Sequence, residues 1–184
     1  KEVTLISIPR DTYTTVYKYD SDGKVEKVIQ ERVNAAYAYG GRGSRAKNAM
    51  ACVQMFLQRE NQLEERLDFA LDIPVGFYGS IDMDGISKLA SAVGGVEVTL
   101  DSAVPGLGKK DKKILLKGYD AEHYVRIRED AGGDIGRAAR QRTFMLSLAK
   151  KIKSMGAVDI ILSLYSDLNK YSETNLNDDH MLDF

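Results

Sequence analysis

The spacing of apolar and polar positions changes several times along the chain, and each change predicts an element. Val3 to Ile8 (VTLISI) reads as a strand that Pro9 ends by removing a backbone donor. Thr12 to Tyr19 and Val25 to Gln30 flank the turn signal Asp20-Ser-Asp-Gly23 and predict a hairpin. Arg32 to Gly41 (RVNAAYAYGG) predicts a short helix or turn closed by glycines. From Ala46 to Asn61, the recurrence of Ala49, Met50, Val53, Phe56 and Leu57 predicts a helix with one apolar face. Leu67 to Val75 (LDFALDIPV) predicts a strand. Asp82 to Val93 predicts a helix whose opening acids complement its dipole, stopped by Gly94-Gly95, with Val96 to Leu100 as the next strand.

Ala103 to Lys117 is loop-like, its Lys109–Lys113 run a solvated surface and Ile114 to Gly118 a short strand or turn. Tyr119 to Arg128 predicts a helix or extended turn. Asp134 is placed to N-cap a helix from Ile135 to Lys153 with Met145, Leu148, Ala149 and Ile152 on its apolar face. Val158 to Leu168 predicts a last helix and Tyr171 to Phe184 a polar tail. Strands alternating with helices in this order predict a single α/β layered domain. No internal repeat or linker interrupts it.

Composition narrows the function classes. The 184 residues, 43% apolar, suffice for one domain with its own core. Lys+Arg 26 against Asp+Glu 27 gives a formal net charge of −1, so no global field argues for nucleic acid. The single cysteine, Cys52, excludes an intramolecular disulfide framework and reads as a small core residue. His123 and His180 stand too far apart in sequence to suggest a histidine metal centre. No apolar run approaches the roughly 18 residues of a membrane span, and no signal peptide heads the chain. The chain opens directly into the apolar VTLISIP, and further sequence is expected upstream of Lys1.

Local charge is where the chemistry concentrates. Between His123 and Arg142 stand five arginines, Arg126, Arg128, Arg137, Arg140 and Arg142, interrupted by Glu129, Asp130 and Asp134. A guanidinium fork grips phosphate or carboxylate bidentately, so this cluster predicts an anion site. Arg137 and Gln141 are four apart and share a face near a helix N-terminus, itself favourable to anions. Arg140 and Arg142 point to other faces and read as solvated or structural. The bland alternative is a salt-bridged surface helix. Arg10 and Asp11 follow the first predicted strand, where ligands bind in open α/β sheets; the bland alternative is that Asp11 caps the next turn and Arg10 pairs with it. Asp82 and Asp84 invite a metal reading, but acids entering a helix are more often structural. There is no GxxxxGK[ST] or GxSxG, and neither histidine has an obvious partner, which excludes P-loop and serine-triad chemistry.

Several motifs then occur in a familiar order. They are SIPRDT (Ser7 to Thr12), VNAAYAYGG (Val33 to Gly41), DMDG (Asp82 to Gly85) with GGVEV (Gly94 to Val98), YVRIR (Tyr124 to Arg128) and GDIGRxxRQR (Gly133 to Arg142). On these the chain resembles the LytR-CpsA-Psr proteins over nearly its whole length. The resemblance implies an α/β fold, a single layered domain with a central mixed β-sheet flanked by helices, spanning residues 1–184 with a membrane helix and first strands upstream. It implies a Mg²⁺-dependent phosphotransferase that moves anionic glycopolymer, teichoic acid or capsule, from an undecaprenyl-pyrophosphate carrier to peptidoglycan. The location it implies is the extracellular face of the bacterial cytoplasmic membrane, reached through a single-pass anchor. Carried over by motif, Arg10, Arg126, Arg128, Arg137 and Gln141 match pyrophosphate-contacting positions. Arg32 stands where many members carry lysine, and Asp134 matches the acid before the arginine. Asp134, Arg10 and Arg137 are the expected catalytic residues, Asp134 as a general base unless it serves only as helix cap. The Mg²⁺ ligands are expected largely upstream of this chain, and none is assigned within it. Two other readings stand beside this one. The first is a polyprenyl-phosphate binder or pyrophosphatase without transfer. The second is a transcriptional regulator, against which the net charge and acid-interleaved arginines count.

Overall fold

The computed structural model describes residues 5–41, 44–63, 74–128, 132–155 and 170–177. The chain divides into two compact units, one of Arg10–Ser80 with Glu173–Phe184 and one of Lys1–Pro9 with Ile81–Ser172. The α/β class holds, built among the described residues from helices and short, two-stranded sheets.

The first unit is organised on the expected hairpin. Strands β1 (Tyr13–Tyr19) and β2 (Val25–Arg32) pair antiparallel, with Tyr13 opposite Arg32 and Tyr17 opposite Val28. Asp20 shapes the turn, because its Oδ1 accepts from the N–H groups of Asp22 and Lys24, both at 2.9 Å. Helix α1 (Ala35–Tyr39) ends at Gly40, where a Cβ would come within 2.8 Å of Arg45 Cα. The glycine thus permits the tight passage into α2 (Arg45–Leu63). Buried Asn48 ties these elements together, its amide donating to the carbonyls of Tyr17 at 2.9 Å and Ala36 at 2.6 Å. Satisfying a buried polar group in this way avoids the cost of desolvating it unpaired. Around it lie Val16, Ala36 and Cys52, and burial raises the Cys52 thiol above its usual pKa, as befits a core residue. Among the residues of α2 whose burial is described, Ala46, Asn48 and Cys52 are buried, while the expected face of Met50, Val53, Phe56 and Leu57 is only half-buried. Near the end of the chain, Asn175 brackets an irregular stretch, accepting from Tyr78 N at 2.8 Å and donating to Gly76 O at 3.0 Å.

The second unit carries the larger core. The strand β3 (Gly79–Ile81) leads into α3 (Met83–Ala92), which is N-capped by Asp82 through the Gly85 N–H at 2.7 Å. Gly94 and Gly95 take φ of 78° and 107° and turn the chain into β4 (Val96–Thr99), paired antiparallel with β5 (Lys113–Leu116). Helix α4 (Tyr119–Arg126) and the long α5 (Gly133–Ser154) complete the unit, with α5 packed on both α4 and β4. Val93, Val96, Leu100, Leu116, Tyr124 and Phe144 are its largest fully buried side chains. The lysines at 109, 110, 112 and 113 are exposed, as expected. A further short strand, β6 (Ser172–Thr174), of which Glu173 and Thr174 belong to the first unit, stands where a polar tail was expected.

Three other expectations are corrected. Leu5 to Pro9 is irregular rather than strand, with Ile6 70% exposed, because no described strand offers it a ladder partner. The helix α5 begins at Gly133 with left-handed Gly132 (φ 80°) as its N-cap, so Asp134 lies inside the first turn and makes no cap. Its buried stripe is Arg140, Phe144 and Leu148, with Ile152 packed alongside, whereas Met145 is half-exposed. Leu148 and Ile152 are where they were expected, but Met145 and Ala149 are exposed, because the phase of the stripe is set by an arginine that no apolar pattern includes. Most of the strand expected at Leu67–Val75, and the helix at Val158–Leu168, lie outside the described residues. No described helix is long and apolar enough to cross a membrane.

The stripe makes a direct prediction. Phe144→Ala is expected to cost about 3–5 kcal/mol of unfolding free energy and Met145→Ala under about 1 kcal/mol, read by denaturant titration.

Candidate functional site

The last four carbonyls of a helix have no partner within it. At the end of α4 the Ile127 N–H takes the His123 carbonyl, and side chains of α5 take those of Tyr124, Val125 and the following Ile127. The buried Arg140 donates from Nε to Tyr124 O at 3.1 Å and from Nη2 to Ile127 O, and Gln141 donates to Val125 O at 3.1 Å. Burial pulls the Arg140 guanidinium down from its ordinary pKa. These contacts hold the end of α4 against the first turns of α5.

A cleft of about 740 Å³ opens along this junction. Arg126, Arg128, Arg137 and Gln141 all line it, so the structure brings together four of the residues the sequence nominated. Arg126 pairs with Glu122 one turn earlier at 2.6 Å. Beyond the extended Ile127, Arg128 reaches Asp134 Oδ1 at 3.3 Å, and Arg137 reaches the same oxygen at 3.1 Å. Arg137 is the most enclosed of these arginines, its side chain 15% exposed against 47% for Arg128. Asp134 thus holds two guanidinium groups together. Arg10 and Arg32 form a second group, in the other unit, where each meets Asp11 at 3.5 Å.

Sequence reasoning missed the other wall of the cleft. Tyr119 and His123 stack with centroids 5.8 Å apart and planes 15° from parallel, and both line the cleft together with Met83 and Glu122. His123 does have a partner, since its Nε2 lies 2.8 Å from Pro105 O. The available signal was the helical spacing of Tyr119, Glu122, His123 and Arg126, which shares one face of α4 opposite buried Ala121, Tyr124 and Val125. Arg142, read as solvated or structural, donates to Ser7 Oγ at 2.8 Å.

The described residues do not fit a Mg²⁺ ion of their own. Among them no three His, Cys, Asp or Glu side chains assemble as ligands. The two carboxylates named at the cleft, Glu122 and Asp134, are paired with arginines, and Asp82 is a helix cap.

Comparison with known proteins decides the family. The LytR_cpsA_psr family model matches residues 1–184. This chain belongs to the LytR_cpsA_psr family. It is 34% identical over 184 residues to an Enterococcus faecalis protein named polyisoprenyl-teichoic acid–peptidoglycan teichoic acid transferase TagU, covering 98% of this chain and 52% of that protein. A Bacillus cereus protein of the same name is 33% identical over 181 residues, covering 97% and 51%. The chain therefore spans about half the length of the curated relatives it matches. Among solved structures, a protein from Enterococcus faecalis described as a transcriptional regulator aligns at TM-score 0.68 and 32% identity, over 95% of this chain and 56% of that one. Bacillus subtilis TagU aligns at 0.65 and 27%, over 96% and 67%.

The geometry separates structural from site arginines. Arg140→Ala is expected to lower unfolding free energy by about 2–3 kcal/mol, since it strips bonds from buried carbonyls. Arg128→Ala, which removes one half-exposed ion pair, is expected to change it by less than about 1 kcal/mol. Chemical denaturation of both variants checks the contrast.

Proposed function

We propose that the α4–α5 cleft binds the diphosphate of a polyprenyl-linked anionic glycopolymer and that the protein transfers the glycopolymer to peptidoglycan. The observation that carries this reading is the convergence of Arg126, Arg128, Arg137 and Gln141 on one cleft. Membership of the family and the transferase names of the relatives support it. The transfer would take place outside the bacterial membrane, with the whole protein held there by an anchor.

In this reading Arg137, the most enclosed of the arginines lining the cleft, and Arg128 grip the diphosphate. Fixed cations placed where negative charge grows in a phosphoryl transfer lower its barrier without reorganising during the step. Gln141 lines the cleft and fixes its wall through Val125. Arg10 and Arg32 are proposed as further diphosphate contacts from the other unit, Arg10 also as a catalytic group. Mg²⁺, if the reaction takes it, is proposed to depend on ligands outside the described residues, and no step here is routed through it.

Asp134 has two proposed roles, which one substitution separates. As a general base it accepts the proton of the acceptor sugar's hydroxyl. As the shared partner of Arg128 and Arg137 it sets their spacing.

Diphosphate binding is expected to weaken on the order of ten-fold in Arg128→Ala and in Arg137→Ala, as expected when a charge-assisted hydrogen bond is lost. Transfer from a lipid-linked donor by the full-length protein should fall at least as far, and unchanged transfer in both variants sinks the assignment. Product analysis with and without acceptor distinguishes transfer from binding or hydrolysis alone. For Asp134→Asn, a base role predicts transfer reduced by about 10² or more with diphosphate affinity kept. A positioning role predicts that affinity falls together with transfer.

A further inference from the structure

The cleft is uneven in charge along its length. At one end, among the described residues, Arg128 and Arg137 share the carboxylate of Asp134. Along α4, Arg126 is matched one to one by Glu122, whose side chain is only 17% exposed. Further still, at the start of α4, the lining becomes aromatic with His123 and Tyr119. Tyr119 lies seven residues before Arg126, about 10 Å along a helix axis. The cleft therefore passes from cationic, through a neutral pair, to an aromatic plate.

Such a plate has a specific chemical use. Tyr119 is 71% exposed although one ring face is stacked on His123, and His123 is itself held by the Pro105 carbonyl at 2.8 Å. One aromatic face is thus backed and rigid while much of the tyrosine is open to the cleft. A pyranose offers a flat patch of C–H groups to an aromatic face and a rim of hydroxyls to charged hydrogen-bonding groups. Glu122 and Arg126, one and two turns beyond Tyr119 on the same helix face, supply an acceptor and donors for that rim.

From this arrangement we propose that Tyr119, backed by His123 and flanked by Glu122, is the subsite for the sugar joined directly to the diphosphate. The inference rests on the diphosphate reading of the arginine end and adds to it which chemical group the other end takes. It makes Tyr119 a specificity-determining residue, selecting glycosylated diphosphates over bare ones.

The test uses the full-length protein and two probes that share everything but the sugar, UDP and UDP-N-acetylglucosamine, titrated by calorimetry into wild type, Tyr119→Ala and Tyr119→Phe. The readout is the ratio of the two affinities within each protein. In wild type and Tyr119→Phe the sugar is expected to strengthen binding about five-fold, the scale of one aromatic contact. In Tyr119→Ala the ratio should fall below about two-fold. A ratio in Tyr119→Ala equal to that of wild type, or a wild-type ratio of one with UDP still bound, overturns the sugar subsite alone. Parallel weakening of UDP and UDP-N-acetylglucosamine in Tyr119→Ala also overturns it, since Tyr119 would then be serving the nucleotide. Failure of wild type to bind UDP or inorganic diphosphate overturns the arginine reading and the subsite with it.

Discussion

The contact between Arg140 and the carbonyls of Tyr124 and Ile127 sets the relation between α4 and α5. A buried guanidinium is tolerated only where its donors are used, and the end of a helix supplies acceptors with no other partner. The two deficits cancel at one place. Gln141 repeats the logic one residue on, at Val125. With the end of α4 held in this way, Arg126, Arg128 and Arg137 line one cleft. The residue that does this is adjacent to a site residue in sequence yet contributes no side chain to the cleft lining.

Crowding arginines is costly unless carboxylates are interleaved, and the cleft shows how the interleaving can leave charge over. Glu122 neutralises Arg126 locally, through an i, i+4 pair of the kind that stabilises many helices. Asp134 is shared, so it holds Arg128 and Arg137 apart at a fixed spacing without cancelling both. Like charges held by a common counter-ion are prearranged for a ligand of higher charge than the counter-ion itself, and a diphosphate is such a ligand. Electrostatic preorganisation of this sort lets a site act on developing charge without moving.

Much of the hairpin unit could be read in advance because its signals are local. Asp20 to Gly23 makes its turn through side-chain acceptance by neighbouring backbone N–H groups, which needs nothing distant. The cap at Asp82 and the glycines at 94 and 95 are local in the same sense. The helix α5 was misread where locality failed. Asp134 has the chemistry of a cap, but left-handed Gly132 started the helix earlier and released the carboxylate to the arginines. Met145 is as apolar as a core position demands, yet it is half-exposed, because the buried stripe is aligned on Arg140.

By itself, the sequence determined the hairpin, the boundaries of α3 at Asp82 and Gly94, and the cluster of arginines that line the cleft. It did so because turns, caps and charge clusters are written in residues close together along the chain. Only the tertiary structure decided which of those arginines share a cleft, which one is buried, and that an aromatic wall stands beside them. The carbonyls that bind Arg140 lie 16 and 13 residues before it and come within reach only after α4 and α5 pack. Roles fixed by such long-range satisfaction of polar groups leave no periodic mark in the chain.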